Sequence, residues 1–139
     1  MSAKAKIKQL EEQIYNLQRA IAKTAEQIID TAKDMFGTDN IVFKSEEHYD
    51  DNNYFTIVSV ESINGIWIDY NDLSDRSELL AKIARGELTQ EQIGAEDLDE
   101  DSLEFAELCK KRNISFEDAL ECVESLNGIP EDYAKEYIK

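Results

Sequence analysis

The chain's only histidine, His48, lies in the run Glu46-Glu47-His48-Tyr49-Asp50-Asp51, where an imidazole beside Asp50 has the parts of a general base. No nucleophile motif accompanies it, so an exposed loop histidine without a catalytic role is the expectation. No GxSxG, HExxH, Walker or GxGxxG pattern occurs, and one histidine cannot build a two-histidine metal site. Cys109 and Cys122 stand apart inside helical patterns, at no metal or redox spacing, and read as small apolar groups whose pKa the acidic surroundings raise. The densest carboxylate run, Glu96-Asp97-Leu98-Asp99-Glu100-Asp101, resembles the start of a calcium loop at Asp97. Ser102 then takes the place of the turn glycine and Leu108 that of the closing glutamate, so the run reads as the acidic start of a helix. The expectation is a chain that is not an enzyme and holds no cofactor or metal.

Recognition chemistry is better represented. Tyr49, Tyr54, Phe55, Trp67 and Tyr70 cluster around the middle of the chain, interleaved with Asp50, Asp51 and Asp69. Aromatic side chains with a polar handle are common anchors at interfaces, and Trp67 next to Asp69 suits a partner's Arg or Lys. The expected partner-binding set is Trp67, Asp69, Tyr70, Tyr54, Asp50 and Asp51. The competing reading puts these aromatics into a sheet core beneath C-terminal helices.

Charge narrows the class of partner. The chain carries 15 Lys and Arg against 31 Asp and Glu, a net of −16. Residues 1–40 hold six cations and six anions, residues 41–78 two against nine, and residues 79–139 seven against sixteen. Such a field repels phosphate backbones and anionic lipid, so direct nucleic-acid or membrane binding is not expected, whereas a basic protein surface is attracted. No apolar run is long enough to span a bilayer, and the lysine-bearing start MSAKAKIKQLEEQ has no apolar core of a signal sequence. With two unpaired-looking cysteines, a cytoplasmic location is expected.

The elements that position these residues follow from periodicity. Residues 3–36 form one long helix with a seven-residue repeat: Ile7, Ile14, Ile21, Ile28 and Met35 at position a, and Leu10, Leu17, Thr24 and Thr31 at d. Isoleucine at a with leucine at d favours a parallel two-stranded coil. Beyond Ala20 the stripe widens to include Ala22, Ala25, Ile29, Ala32 and Phe36, as a helix lying on a domain requires. Residues 3–20 are therefore expected to pair, with Ile7, Leu10, Ile14, Leu17 and Ile21 as the contact side chains, and residues 21–36 to pack on the body.

Gly37 ends that helix, and residues 37–72 read as a small antiparallel sheet. Ile41–Lys44 is a short strand and Ser45–Asn53 an acidic connection. Tyr54–Ile63 and Ile66–Tyr70 are strands joined by Asn64-Gly65, both of whose positions suit the positive φ of a type I′ turn. That register sets Glu61 opposite Ile68 and Ser59 opposite Tyr70, with Ile63 and Val60 on opposite faces. Residues 73–139 form an acidic cluster of short helices packed with the sheet as one domain. Ser74, Thr89, Asp97 and Ser115 begin its helices, Gly86, Gly94, Arg112 and Asn127-Gly128 end them, and Pro130 opens a final short one.

The fold class expected is thus α+β: a long coiled-coil-like N-terminal helix, a small antiparallel sheet and a cluster of short C-terminal helices. By composition alone the chain is similar to small acidic phage-encoded accessory proteins. That likeness rests on no motif and implies inhibition of a host or defence protein. The functional expectation is a self-associating protein, most simply a homodimer, that binds a basic partner, with mimicry of nucleic acid as one form. A small-molecule or nucleotide binder using Lys44, Arg76 or Lys82, and a purely structural assembly subunit, are the alternatives.

Overall fold

The computed structural model describes residues 2–50 and 53–138, without the side chains of His48, Asp50, Asn53, Tyr54 and Phe55. It is an α+β protein. Helix α1 (Ala3–Phe36) leads into an antiparallel sheet of β1 (Ile41–Asp50), β2 (Asn53–Ile63) and β3 (Ile66–Trp67), ordered β1-β2-β3. Five helices follow: α2 (Tyr70–Asp75), α3 (Ser77–Ala84), α4 (Gln90–Gly94), α5 (Glu100–Arg112) and α6 (Phe116–Leu126). Two 3-10 turns, Glu131–Tyr133 and Lys135–Tyr137, close the described chain.

Helix α1 begins at Ser2, whose side chain accepts from the Ala5 N–H, and ends where Gly37 turns left-handed at φ 65°. A side chain at Gly37 would collide with the Arg112 guanidinium. Arg112 needs that closeness, because its Nη2–H donates to the Asp34 carbonyl (3.1 Å) and its Nε–H to that of Met35 (3.3 Å). Two of the carbonyls left over at the helix end are thereby satisfied by a cation that also opposes the helix dipole. The buried face of α1 is Ala25, Ile29, Ala32 and Phe36. Phe36 contacts Phe105, which in turn meets Phe116 edge-on, their centroids 5.8 and 6.0 Å apart.

The Asn64-Gly65 turn forms as expected, with φ 52° and 80°, and pairs Ile63 with Ile66 and Ser62 with Trp67. Three details of the sheet depart from the sequence reading. The acidic segment from Ser45 onward is not a loop: β1 runs through it, Ser45 pairing with Val58 and Asp50 with Asn53. Charged residues are acceptable there because β1 is an edge strand, where charge also discourages further pairing. Tyr70 is not in a strand: Asp69 accepts from the Asp72 N–H (3.2 Å) and starts α2 at Tyr70, ending the sheet at Trp67. The alternation in β2 is also rephased. Val42 pairs with Ser62 but Phe43 with Val60, leaving Glu61 as the extra residue of a bulge. Val58, Val60 and Ile63 therefore all reach the core with Ile41 and Phe43.

The helical region keeps most expected boundaries. Thr89 and Gln92 form a reciprocal capping box, Ser115 caps α6 at Asp118, and Gly86 closes α3 at φ 74°. Two starts move: Ser74 lies inside α2 while α3 begins after Arg76, and Asp99 rather than Asp97 caps α5. The C-terminal turns fold back on the sheet and on α1. Phe43 stacks edge-on with Tyr137 (6.2 Å) and bridges to Ile138, and the Lys33 ammonium donates to the Tyr137 hydroxyl (3.1 Å).

The bulge has one anchor from outside the sheet. The Val60 N–H, part-buried, donates to Oδ1 of Asn127 at the end of α6 (2.8 Å). Replacing Asn127 with Ala leaves that donor unpaired, and the expected loss is about 1–3 kcal/mol of stability by urea denaturation. Asn127→Asp, which keeps the acceptor, should recover most of it.

Candidate interaction surfaces

Exposure is uneven along α1. Ile7, Leu10, Ile14, Leu17 and Ile21 are 56, 49, 55, 64 and 46% exposed, and the burial of α1 begins at Ala25. Above Ala25 the body touches the helix through Tyr133, whose hydroxyl donates to the Gln18 carbonyl (3.3 Å). The apolar stripe does not stop at Ile21. Thr24, Ile28, Thr31 and Met35 continue it along one wall of an open groove of about 370 Å³ whose other wall is α6, through Asp118, Glu121, Cys122 and Ser125. Both threonines have turned their hydroxyls inward, Thr24 to the Ala20 carbonyl (2.9 Å) and Thr31 to that of Gln27 (2.7 Å). Each is thus satisfied within α1 and can face an apolar neighbour without losing a hydrogen bond to water.

The second surface surrounds Trp67, which is 56% exposed. It stands at the rim of a hollow of about 430 Å³ lined by Asp69, Asp72, Asp99, Asp101 and Lys44. The carboxylates converge because two helices start there: Asp69 caps α2, and Asp99 caps α5 through the Ser102 N–H (2.9 Å) and hydroxyl (2.8 Å). Crowding is visible on Asp72, whose carboxyl pKa is raised, first by the charge of Asp69, then by desolvation, Asp99 and Asp75. Among the described residues no group of three or more His, Cys, Asp or Glu is arranged to hold a metal ion.

Of the expected partner-binding residues, Trp67 and Asp69 meet at this hollow. Tyr70 does not. It lies on α2 toward α6, its hydroxyl 3.4 Å from Glu124, and burial followed by that carboxylate raises its pKa. Asp51 and the side chains of Asp50, Tyr54 and His48 fall outside the described residues. Asp72, Asp99 and Asp101 went unnoticed in the sequence as members of the site. Their signal was that acids cap two separate helices, but only the fold shows that the two starts adjoin. The cations named for a nucleotide reading are not gathered: Lys44 lines the Trp67 hollow, while Arg76 and Lys82 line another, where Arg76 contacts Glu96 (3.4 Å).

Both thiols are packed rather than activated. Cys109 is wholly buried and Cys122 partly so, and burial, rather than the neighbouring acids the sequence suggested, pushes them up to about 12 and about 11. An acid raised in the folded state contributes stability that is complete below its unfolded value near 9.0 and is lost as pH rises toward the folded value. Urea midpoints should therefore fall between pH about 8 and about 10.5, and fall less in Cys109→Ala, measured from its own value at the lower pH.

No helix among the described residues is long and apolar enough to cross a membrane. Comparison with known proteins found no match to a family model, a curated protein or a solved structure.

Proposed function

We propose that the chain is a non-catalytic, acidic interaction protein that self-associates through the N-terminal half of α1 and receives a basic segment of a protein partner at the Trp67 hollow. The observation that carries the reading is the continuous stripe Ile7, Leu10, Ile14, Leu17 and Ile21, each about half exposed on a helix whose other half is firmly packed. Five large apolar side chains in one line exceed the scattered exposure ordinary on a soluble surface. Covering their exposed halves contributes about 1 kcal/mol each, thus about 10 kcal/mol over two copies. Association costs about 4–15 kcal/mol, so a dimer through this stripe alone is of marginal strength.

The partner reading rests on Trp67 beside Asp69, Asp72, Asp99 and Asp101, an aromatic face next to concentrated negative charge. A lysine or arginine entering the hollow gains both the ring and the carboxylates, and relieves the repulsion that raises Asp72. Inhibition of a nucleic-acid-binding protein by occupying its phosphate sites is the specific form that the net charge favours.

Light scattering tests the first part: Ile14→Asp with Leu17→Asp should reduce the mass to that of the monomer with circular dichroism largely unchanged. A wild type already monomeric at high micromolar concentration would defeat the reading. For the second part, a basic peptide titrated against the protein should shift Trp67 fluorescence and bind far more weakly at high salt. Trp67→Ala, titrated with the same peptide by calorimetry because the fluorescent reporter is gone, should lose that binding while changing stability by no more than about 0.5 kcal/mol, as expected for an exposed side chain. Binding indifferent to salt would rule out the charge-based recognition.

A further inference from the structure

The stripe and the groove together specify how two copies meet. Helix α6 runs antiparallel to the second half of α1. Arg112, just before α6, holds the C-terminal end of α1, and Tyr133, just after it, reaches Gln18. Asp118 and Glu121, early in α6, therefore flank the Met35–Thr31 end of the groove. The opposite end of α1 is unusual in its charge. Its first turns read Ala3-Lys4-Ala5-Lys6-Ile7-Lys8, three cations at the positive end of a helix dipole. The other long helices, α5 and α6, begin with acids.

We infer that two copies pair antiparallel along the whole of α1, so that the lysine-bearing N-terminal half of each helix lies in the acidic α1/α6 groove of the other. This rests on the self-association proposed above and departs from the parallel coil that the Ile/Leu pattern suggests. One register brings every position of the stripe into contact. Ala3 then meets Met35 of the second copy, Ile7 meets Thr31, Leu10 meets Ile28, Ile14 meets Thr24, and Leu17 meets Ile21. In three of these five layers a small side chain faces a large one, and each threonine, its hydroxyl already bonded within its own helix, faces an isoleucine. Parallel pairing would instead stack Thr24 on Thr24 and Thr31 on Thr31.

Charge favours the same arrangement. At the flanking positions the antiparallel register sets Lys6 opposite Asp34, Gln13 opposite Gln27 and Gln18 opposite its own copy, with no like-charged pair. On the side where Ala25 and Ala32 are buried, Lys4 and Lys8 of the second copy come alongside Asp118 and Glu121. A parallel dimer gains a Lys6–Glu11 pair but sets the two acidic bodies side by side, leaving the lysine-rich end away from them. Of the unfavourable lysines at the start of α1, Lys4 and Lys8 meet acids of the second copy only in the antiparallel form.

The test uses the full chain with Cys122 replaced by Ser, leaving Cys109 wholly buried. Leu10→Cys and Ile28→Cys are made as separate proteins, and their mass is measured under reducing conditions before mild oxidation. The expected result is a dimer in which neither protein cross-links alone and the equimolar mixture gives a disulfide joining position 10 of one copy to position 28 of the other. Dimers in which each protein cross-links with itself are parallel and overturn the inference while leaving self-association intact, as do dimers that cross-link in neither case. Monomers throughout, the wild type included, defeat the self-association reading and this inference with it. A second readout needs no cysteine. Lys4→Glu with Lys8→Glu should weaken the dimer about tenfold, and Asp118→Lys with Glu121→Lys in the same chain should restore it. Dimer affinity should fall as NaCl rises from about 0.05 to about 0.5 M, whereas repulsion between side-by-side acidic bodies predicts a rise.

Discussion

Phe105 lies between Phe36 of α1 and Phe116 of α6, and this aromatic contact, closed off by Arg112 on the last carbonyls of α1, fixes most of what is distinctive about the molecule. It clamps a long helix by its C-terminal end, with the Tyr133 hydroxyl on the Gln18 carbonyl as a further hold near its middle. Every residue between Ala25 and Phe36 on the buried face is then held, and the body ends before the helix does. The projecting stripe follows from geometry, since a helix of 34 residues is about 50 Å long at 1.5 Å per residue, longer than a small domain is wide. Because α6 shares the clamp, it runs beside the seam and turns what would be an open flank into a groove. Docking of the helix and creation of the groove are one event.

Charge follows a second logic laid over the first. Asp69, Asp99 and Ser115 cap their helices, and Glu100, Asp101, Glu117 and Asp118 fill first turns, so much of the C-terminal acidity is placed where helix dipoles favour it. When α2 and α5 start next to one another, their caps form a concentrated patch beside Trp67, and Asp72 registers the crowding in its raised pKa. A local rule obeyed separately by two helices thus yields a global field that neither specifies. Helix α1 breaks the rule at its start. Natural sequences depart from local preference chiefly where another interaction compensates.

The sequence made some of this legible and hid the rest for identifiable reasons. The long helix, the Asn64-Gly65 turn and the Thr89–Gln92 box are signals carried by residues near one another along the chain, and all are present. The bulge at Glu61 is different. Period-two alternation assigns Val60 and Ile63 to opposite faces, and only pairing to β1 and the Asn127 bond to Val60 reverse that, both long-range facts. Tyr70 looked like a strand residue because aromatics favour strands, but Asp69 is a better helix start than strand centre, and local capping prevailed. The polar run Ser45–Asp50 carries no strand signal of its own, yet an edge strand draws its ladder from its neighbour and needs no apolar face along its whole length.

The threonines show how a weak sequence signal can change meaning once geometry is known. At d positions, Thr24 and Thr31 weaken a coiled coil by exposing hydroxyls to an apolar seam. In the folded chain each hydroxyl is bonded to the carbonyl four residues earlier, so the cost is met within the helix and what remains is a small side chain. A small side chain weakens a seam only where another small one faces it. Opposite isoleucine, it provides the room that a branched side chain needs. The same residues therefore argue against parallel pairing and for antiparallel pairing, and the choice between them turns on which neighbours the fold allows the seam to meet.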